Sequence, residues 1–303
     1  MLPKMAFVRL CRALGRPAFP LQMMMRQGLS AKRAPKELRG YTATERDVFI
    51  ATFAKSGTNW AMQIALQIAH RGKAEFEHIH QLVPWPDSIL PVTPLVEHRP
   101  GPRSPTGLRV IKTHLEAALV PYSPRARYIT VIRDPKEVCV SAYYFLGGIL
   151  GVLDDLSFDE WYTQVVDTGL LTETWARHSA SLWAWRDRPN VLVQTYSQMK
   201  ADLSAAVDRF ADMMGVSLTE AEHAQVVHRA SLPYMKANES KFAPPLMPLR
   251  GSAPKPKMVR RGAAGGSGER LSPQQQAAVD RACRQQLRLL GSDLPYDELF
   301  KAA

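Results

Sequence analysis

A lysine, two hydroxyl side chains and a glycine follow an apolar run in the first quarter of the chain. The run, Val48–Phe53, is rich in β-branched and aromatic residues, as buried strands are. Lys55–Thr58 (KSGT) comes directly after it, and Asn59–Gln67 then has apolar residues at helical spacing. A strand, a turn of small residues and a helix direct backbone N–H groups at an anion, and the lysine adds positive charge. The spacing therefore predicts a phosphate-binding loop.

This loop differs from the common nucleoside-triphosphate loop GxxxxGK[ST], in which the lysine follows the last glycine and a hydroxyl holds magnesium. Here Lys55 precedes Gly57, and no glycine opens the loop. Taken alone, the stretch has a simpler alternative. It could be an ordinary turn into a helix, with Ser56 or Thr58 as N-cap and Lys55 in solvent.

A second candidate anion site follows the apolar run Ala126–Ile132, which predicts a strand. Arg133 comes directly after this run, Pro135 suits the first turn of a helix, and Ser141 lies further along that helix. Arginine fits such a site because its planar guanidinium makes paired charged hydrogen bonds to phosphate oxygens. The alternative is a local ion pair between Arg133 and Asp134 that caps the helix.

A histidine follows a third apolar run. Leu108–Lys112 (LRVIK) predicts a short strand, and His114 lies two residues beyond its end. An imidazole accepts a proton from a hydroxyl group near neutral pH, whereas a carboxylate or a lysine needs a shifted pKa to do so. His114 is therefore the candidate general base. A buried histidine that is hydrogen-bonded at a strand end is the alternative.

Together these motifs resemble those of the cytosolic-type sulfotransferases, which use 3′-phosphoadenosine 5′-phosphosulfate (PAPS). KSGTNW at 55–60 is similar to the 5′-phosphosulfate loop of that family, and RDPKEVCVS at 133–141 to its 3′-phosphate motif. KTHL at 112–115 resembles the segment that carries the family's general base. Val259–Gly262 matches by position a basic Arg-Lys-Gly clamp over the 3′-phosphate. The resemblance covers about residues 48 to 290.

The resemblance implies a site and a reaction. His114 would be the general base, and Lys55 and Lys112 would stabilise the charge that develops during sulfuryl transfer. Trp60 would stack on adenine, and the product would be 3′,5′-adenosine bisphosphate (PAP), with no metal required. The implied nucleotide-binding residues are Lys55, Ser56, Gly57, Thr58, Asn59, Trp60, Arg133, Ser141, Tyr196, Ser231, Leu232, Arg260, Arg261 and Gly262.

The chain also departs from the family's pattern. Gly265-Gly266-Ser267 stands where the family has Gly-Asp-Trp, and Leu232 replaces a phenylalanine that stacks on adenine. Ala230 replaces a threonine in the same segment, and the dimer motif of the animal enzymes is missing from Gly268–Ala277. The oligomeric state therefore stays open.

The acceptor is predicted only as a class. The resemblance implies a small molecule with a hydroxyl or amine group, and the aromatic residues near the motifs suggest that it is apolar. We expect it to contact His80, Trp85 and Phe145.

Composition sets the wider frame. The chain has 303 residues and a net charge of +11, which predicts anionic ligands, and its three cysteines suggest neither a disulfide framework nor a zinc site. Strand-like runs alternate with helical ones, and Asn190–Gln194 supplies a further strand. We expect one α/β domain with a central parallel sheet flanked by helices and a P-loop-like phosphosulfate loop.

The predicted domain organisation has three parts. Residues 1–46 form a basic N-terminal arm in which an amphipathic helix could touch an anionic membrane. The sulfotransferase domain would occupy 47–303, and a glycine-rich and proline-rich stretch at about 242–268 would be a mobile flap. No apolar run reaches the ~20 residues of a membrane span, and we expect a cytoplasmic protein.

Two other functions compete with this reading. A P-loop kinase of small molecules or nucleotides would depend on magnesium and would need a lysine after the last glycine of its loop. A non-catalytic basic module that binds membrane or nucleic acid would explain the charge, but it gives no reason for His114 between two phosphate loops. We therefore expect no nucleic-acid partner.

Overall fold

The structure is a computed structural model, and it describes residues 7, 10–29, 34–88, 104–150, 153, 156–243 and 266–300. Its four strands are β1 (Asp47–Ala51), β2 (Arg109–Thr113), β3 (Arg127–Ile132) and β4 (Val191–Thr195). Its helices are α1 (Phe19–Leu29), α2 (Thr58–Ala69), α3 (Pro135–Leu150), α4 (Phe158–Trp161), α5 (Leu170–Trp183), α6 (Tyr196–Ala201), α7 (Leu203–Met214), α8 (Glu220–Ala230), α9 (Leu232–Ala237), α10 (Pro273–Leu289) and α11 (Tyr296–Leu299).

The strands form one parallel sheet in the order β2-β1-β3-β4. The register pairs Ala51 with Thr113 and Ile132 with Thr195, so the carboxyl ends of neighbouring strands lie together. Strand β2 lies on one side of β1, and β3, the next strand along the chain, lies on the other side. In open parallel sheets, the crevice beyond the strand ends at such a reversal is the usual ligand site.

Two compact units make up the described chain, and the sheet lies in the one formed by residues 32–133 and 181–242. Helix α2 packs against β1 and β2, while α7 packs against β3 and β4. One buried cluster contains Phe49, Ile111 and Tyr128 of the sheet together with Trp185, which follows α5. The rings of Phe49 and Tyr128 stack with centroids 5.3 Å apart. Because β1 and β3 are buried along nearly their whole length, both faces of the sheet are covered at its centre.

The other unit comprises residues 1–31, 134–180 and 243–303. The side chain of Gln164 ties the start of α1 to this unit, because its Oε1 accepts the backbone N–H of Ala18 at 3.0 Å. The Nζ of Lys136, on α3, lies 2.6 Å from Oδ1 of Asp280, on α10. Ser272 caps α10 and Pro273 begins it, residue types that suit these two positions of a helix.

The sequence predictions of fold class and of each strand are confirmed, with ends displaced by one or two residues. The apolar spacing of Met199–Met214 predicts one helix, but the structure has two, because Asp202 is extended and caps α7 with its own side chain. The sequence also predicts a helix over Phe158–Val166, and the structure changes after Trp161 into a π-type turn, Tyr162–Val166. Of the expected flap, residues 244–265 lie outside the described residues.

Candidate active site

The carboxyl ends of all four strands supply predicted site residues. Lys55 follows β1, His114 follows β2, Arg133 follows β3, and Tyr196 follows β4. These four residues lie in the same compact unit. Arg133 contacts both Lys55 and Tyr196. The parallel register places these residues at one edge of the sheet, as the sequence predicts.

The loop after β1 has a backbone that few residues adopt. Lys55 has φ +68° and Gly57 has φ +97°. A Cβ at Gly57 would lie 2.8 Å from Cδ2 of Tyr196, so the ring occupies the space that a side chain would need. Positive φ in a non-glycine residue such as Lys55 is strained, and such strain is typical of ligand sites. The loop is therefore held in one shape by a glycine and by a neighbouring ring.

Ser56 carries an unsatisfied polar group in this loop. Its Oγ is buried and has no hydrogen-bond partner among the described residues. An unpaired buried hydroxyl costs free energy unless a ligand satisfies it. The hydroxyl of Thr58, by contrast, lies 2.6 Å from that of Thr52. Gly57 is the N-cap of α2 and no side chain caps this helix, so the alternative of a capping Ser56 or Thr58 is wrong.

The first two turns of α2 hold a distant stretch of chain. The Asn59 side chain donates to the carbonyl of Phe242 at 3.0 Å, and the indole N–H of Trp60 donates to that of Ala230 at 2.8 Å. These bonds bring the end of α8 and the residues after α9 to the phosphate loop. They also engage two of the groups that the sequence assigns to the nucleotide.

Three cationic side chains converge beside the loop. Arg133 donates from Nη1 to the carbonyl oxygen of Lys55 at 3.0 Å, and its guanidinium lies over the ring of Tyr196, 4.3 Å from the centroid. Burial first, and then the charges of Arg133 and Lys112, lower the pKa of Lys55 to about 7. Like charges gathered in a desolvated place favour an anionic ligand.

Trp60 and Tyr196 form an aromatic pair at the same place. Their ring centroids are 5.5 Å apart at an interplanar angle of 66°. Arg133 covers the ring of Tyr196, so a guanidinium and two aromatic rings adjoin. Rings and guanidinium planes of this kind can stack on a nucleobase.

His114 is fixed from both its ring and its backbone. Its Nδ1 lies 2.7 Å from the carbonyl oxygen of Thr52, and its backbone N–H donates to Oδ2 of Asp87 at 2.8 Å. A carbonyl can only accept, so the hydrogen bond places the proton on Nδ1. This tautomer makes Nε2 the basic nitrogen, as a general base requires.

The segment before Asp87 supports Lys112. The carbonyl of Pro84 accepts the backbone N–H of Lys112 at 2.9 Å, and the Lys112 Nζ lies 3.3 Å from the ring centroid of Trp85. Burial lowers the pKa of Lys112 to about 7, although the charge of Asp87 opposes the shift. The edge of the Trp85 ring meets His114, with centroids 5.3 Å apart.

His80 contacts neighbouring residues of its own segment, whereas its predicted role is to contact the acceptor. Its Nδ1 is 2.8 Å from the carbonyl of Val83, and its ring stacks on Trp85 with centroids 5.5 Å apart. Burial, and next the charge of Lys112, lower the pKa of His80 to about 3, so the ring is neutral. Only 7% of the residue is exposed. Contact between His80 and an acceptor stays a prediction.

Asp87 is the site residue that sequence reasoning missed. It ends the polar and aromatic stretch Glu75–Asp87, whose composition suits a cleft loop better than a regular element, and 27 positions separate it from His114. Burial raises the pKa of its carboxyl group. The nearby signal was Trp85, which the sequence analysis assigned to the acceptor, but no spacing rule connects Asp87 to the end of β2.

The remaining predicted site residues are placed as follows. The hydroxyl of Ser231 caps α9 through the backbone N–H of Tyr234, and Leu232 is 37% exposed. Ser141 and Phe145 lie on α3, in the other compact unit. Arg260, Arg261 and Gly262 lie outside the described residues.

The residues present fit a nucleotide that carries phosphate and sulfate groups. An anion bound at this loop would accept a hydrogen bond from the unpaired hydroxyl of Ser56 and would stabilise the charged form of both lysines. The backbone at Gly57 leaves no space for a side chain and suits such a binding loop. Within the described ranges, no group of three or more histidine, cysteine or acidic side chains could hold a metal ion. Nor does a helix in those ranges have the length and apolarity to cross a membrane.

Comparison with known proteins supports the same family. The model of the sulfotransferase domain family matches residues 45–291, which include parts of both compact units. Sulfotransferase 2A1 of Macaca fascicularis is 26% identical over 267 residues, covering 86% of this chain and 89% of that protein. Luciferin sulfotransferase of Photinus pyralis is 27% identical, with 74% and 68% covered.

Solved structures share the fold. Retinol dehydratase in complex with androsterone and the inactive cofactor PAP superposes with a TM-score of 0.69 at 18% identity, covering 91% of this chain and 96% of that one. A mouse sulfotransferase in complex with PAP gives a TM-score of 0.66 at 19% identity, with 90% and 95% covered. The predicted single α/β domain agrees with these neighbours.

Proposed function

This chain belongs to the sulfotransferase domain family, and on that premise we propose that it transfers the sulfuryl group of PAPS to a small acceptor. The family membership makes it a sulfotransferase; the identity of donor, acceptor and catalytic residues is the proposal. The observation that carries it is the meeting of Lys55, Lys112 and the orphaned Ser56 hydroxyl at the loop after β1. Family relatives that bind PAP support the choice of donor.

In the proposed reaction, PAPS supplies an activated sulfuryl group, whose sulfur bonds to the acceptor oxygen as its bond to the 5′-phosphate oxygen breaks. His114 removes the proton of the acceptor hydroxyl at Nε2, because the carbonyl of Thr52 holds the other ring proton on Nδ1. Lys55 and Lys112 offset the negative charge that collects beside the loop. Positioning and charge stabilisation dominate such group transfers.

The nucleotide has candidate contacts at its other end as well. Arg133 is held by the carbonyl of Lys55 and by the ring of Tyr196, and we assign it to the 3′-phosphate. The rings of Trp60 and Tyr196 would contact the adenine, with Ser231 and Leu232 beyond them. Ser141, Arg260, Arg261 and Gly262 remain proposed phosphate ligands on the strength of the resemblance.

For the acceptor we propose a small, apolar molecule with a hydroxyl or amine group. Trp85 supports this choice, because its ring lies beside both Lys112 and His114. Its indole Nε1 is buried without a partner among the described residues and could donate to the acceptor. His80 would act by holding Trp85, and Phe145 stays a proposed contact. Relatives include a luciferin sulfotransferase, which supports an aromatic or polycyclic probe.

The direct test compares nucleotides by isothermal titration calorimetry. We expect PAP and PAPS to bind more tightly than ATP, with and without magnesium, and the purified protein to transfer labelled sulfate from PAPS to members of a phenol and steroid alcohol panel. Tighter binding of ATP with magnesium, together with phosphoryl transfer, would replace the proposal by the kinase alternative. The comparisons give no support to that alternative or to a non-catalytic module.

His114→Ala tests the base within this scheme. We expect turnover to fall about 10²–10⁴-fold, the usual contribution of a general base, while the dissociation constant of PAP stays within about threefold. Loss of PAP binding of the same size as in Lys55→Ala would contradict the assignment of His114.

We also propose that the N-terminal arm makes peripheral contact with anionic membranes. Leu10 and Leu14 are 56% and 69% exposed, and Arg12 and Arg16 between and beside them are exposed too. The first acidic residue of the chain is Glu37, so this surface is cationic as well as apolar. Cosedimentation with phosphatidylserine-containing vesicles should exceed that with pure phosphatidylcholine. Equal binding of Arg12→Glu/Arg16→Glu to the anionic vesicles would refute the contact.

A further inference from the structure

A carboxylate accepts the backbone N–H of the proposed base and lacks a full set of partners of its own. Oδ2 of Asp87 accepts the backbone N–H of His114 at 2.8 Å. Oδ1 is buried and has no hydrogen-bond partner that the geometry of the described residues provides. The residue that follows β2 is thus tied to the segment after Trp85.

We propose that Asp87 is a positioning residue of the transfer site, which fixes the backbone of His114 and places a negative charge beside Lys112. This inference rests on the proposed function, because it assigns a role in the same reaction. Asp87 touches neither substrate in this scheme. It acts through His114 and Lys112.

The first half of the role follows from the geometry of His114. This residue lies just beyond β2, where no strand pairing fixes its backbone. Asp87 holds the backbone N–H, and the carbonyl of Thr52 holds the ring Nδ1 at 2.7 Å. With one anchor on the main chain and one on the ring, Nε2 keeps a fixed direction. Such fixed placement of a base is what proton transfer in a group-transfer step requires.

The second half follows from the charges around Lys112. Lys55 lies close enough for Lys112 to lower its pKa, and Arg133 adds to the same effect on Lys55. His80 also faces Lys112, but burial keeps its ring neutral. Asp87 opposes this accumulation, because its charge raises the pKa of Lys112 against the effect of burial.

A purely structural role would not explain a carboxylate at position 87. One acceptor oxygen is enough to receive the N–H of His114, and an asparagine would supply it without a charge. The second buried oxygen of a carboxylate costs free energy when no donor meets it. Asp47, at the other end of the same two strands, shows a carboxylate used for structure, because Arg109 and Tyr41 satisfy its two oxygens.

Asp87→Asn separates the charge from the hydrogen bond, and Asp47→Asn is its matched control in the same compact unit. In Asp87→Asn we expect the alkaline limb of the kcat/KM profile to move to lower pH by about one unit, as loss of a neighbouring opposite charge predicts. The position of the limb, and not turnover at one pH, is the readout, because a Lys112 pKa that falls by one unit from about 7 leaves the lysine only half protonated at pH 6. Asp47→Asn should leave the limb where it is. An unmoved limb in Asp87→Asn, or an equal shift in both variants, would overturn the proposal.

A readout without turnover keeps this test separate from the proposed function. In protein labelled with ¹³C at lysine Cε, the signal absent from Lys112→Arg identifies Lys112, and Lys55→Arg identifies its neighbour. We expect the titration midpoint of Lys112 in the ligand-free protein to be lower in Asp87→Asn than in the parent. If this shift occurs and no sulfuryl transfer is found, the proposed function alone fails. If transfer is found and the midpoint does not move, the role of Asp87 alone fails.

Asp87→Ala tests the remaining hydrogen bond. We expect a larger loss of kcat than in Asp87→Asn at every pH, with PAP affinity near pH 6 unchanged. Equal kcat in the two variants would show that the bond to His114 does not position the base. Should Asp87→Ala fail to fold, the asparagine variant and its titration still decide the charge.

Discussion

The two ends of the strand pair β1 and β2 use buried charge in opposite ways. At the amino end, Asp47 is fully buried and pairs with Nη2 of Arg109 at 2.7 Å, while the hydroxyl of Tyr41 donates to its other oxygen at 2.7 Å. At the carboxyl end, Lys55 and Lys112 gather with Arg133, and burial lowers the pKa of both lysines to about 7. One end balances its charges internally, and the other gathers three cations against the single carboxylate of Asp87.

The difference separates stability from function within a single sheet. A buried ion pair with all its partners fixes how β1 and β2 align, and it needs nothing from outside. A group of buried cations next to an orphaned serine hydroxyl stores unfavourable free energy that an anion can relieve. Variants at the amino end should therefore change unfolding, and variants at the carboxyl end should change ligand binding and turnover.

The largest effect should follow removal of charge at the carboxyl end. We expect Lys55→Ala to lower turnover about 10²–10³-fold, as loss of one charge-stabilising donor does, and also to weaken PAP binding. Unfolding in urea should move little or towards greater stability, because a strained and desolvated cation is lost. The comparison would break if Lys55→Ala unfolded readily and still bound PAP like the parent.

The next largest effect concerns the end of the nucleotide that does not react. Arg133→Ala should weaken PAP about 10- to 100-fold, the range for charge-assisted hydrogen bonds. Adenosine 5′-phosphosulfate, which lacks the 3′-phosphate, should lose much less affinity in the same variant. Competition titrations with the two ligands measure the difference, and equal losses would remove Arg133 from the 3′-phosphate.

Gly57→Ala sharpens the comparison at the level of the backbone. Alanine is strained at φ +97°, and its Cβ would lie 2.8 Å from Cδ2 of Tyr196. Gly107→Ala is the control, because φ is +75° there and nothing lies within 4 Å of the added Cβ. We expect backbone strain of about 1–3 kcal/mol in each variant, seen in urea unfolding, and loss of PAP affinity in Gly57→Ala alone. Similar PAP affinity in both variants would mean that Tyr196 moves aside at no cost.

At the amino end, Asp47→Asn should cost about 1–3 kcal/mol in the free energy of unfolding, because Arg109 and Tyr41 lose a charged partner. The Michaelis constant for PAPS and the turnover number should stay within about twofold of the parent. Urea unfolding and initial rates on the same preparation test both parts. A large loss of turnover in a folded Asp47→Asn protein would remove the division between the two ends.

The most gradual effect is a pH dependence. The pKa of each lysine in the folded, ligand-free protein is about 7, below the usual value of about 10.4 in an unfolded chain. Between these values the unfolded chain binds more protons, so the free energy of unfolding should rise as pH increases from about 7 to 10. Bound PAP favours the charged lysines, and binding at pH 8 should take up protons. Calorimetry in buffers of different ionisation enthalpy measures that uptake, and none would be seen if the lysines stayed neutral.

Much of the fold and the outline of the site can be read from the sequence, for identifiable reasons. The strand before Lys55 and the one before Arg133 are rich in β-branched and aromatic residues, and each is followed by residues that suit a turn into a helix. Residues that follow parallel strands must meet at one edge, so local patterns were sufficient to bring Lys55, His114 and Arg133 together.

What the sequence did not yield depends on contacts between distant residues. Asp87 joins His114 through a hydrogen bond across 27 positions, and no periodicity encodes that bond. The break at Asp202 depends on whether its side chain points at α7 or at solvent, and a continuous helix fits the same apolar spacing. The buried state of His80 likewise follows from Val83 and Trp85, which a residue type alone does not specify.

Helix α2 reaches well beyond the loop that it begins. Asn59 and Trp60 donate to the carbonyls of Phe242 and Ala230, and one turn later Gln63 donates to the carbonyl of Arg229 at 3.0 Å. A ligand that reduces the motion of the first turn of α2 would also reduce the motion of the main chain to which these side chains are hydrogen-bonded. Amide hydrogens of α9, remote in sequence from every phosphate contact at residues 55–60, should exchange more slowly with solvent deuterium once PAP is added.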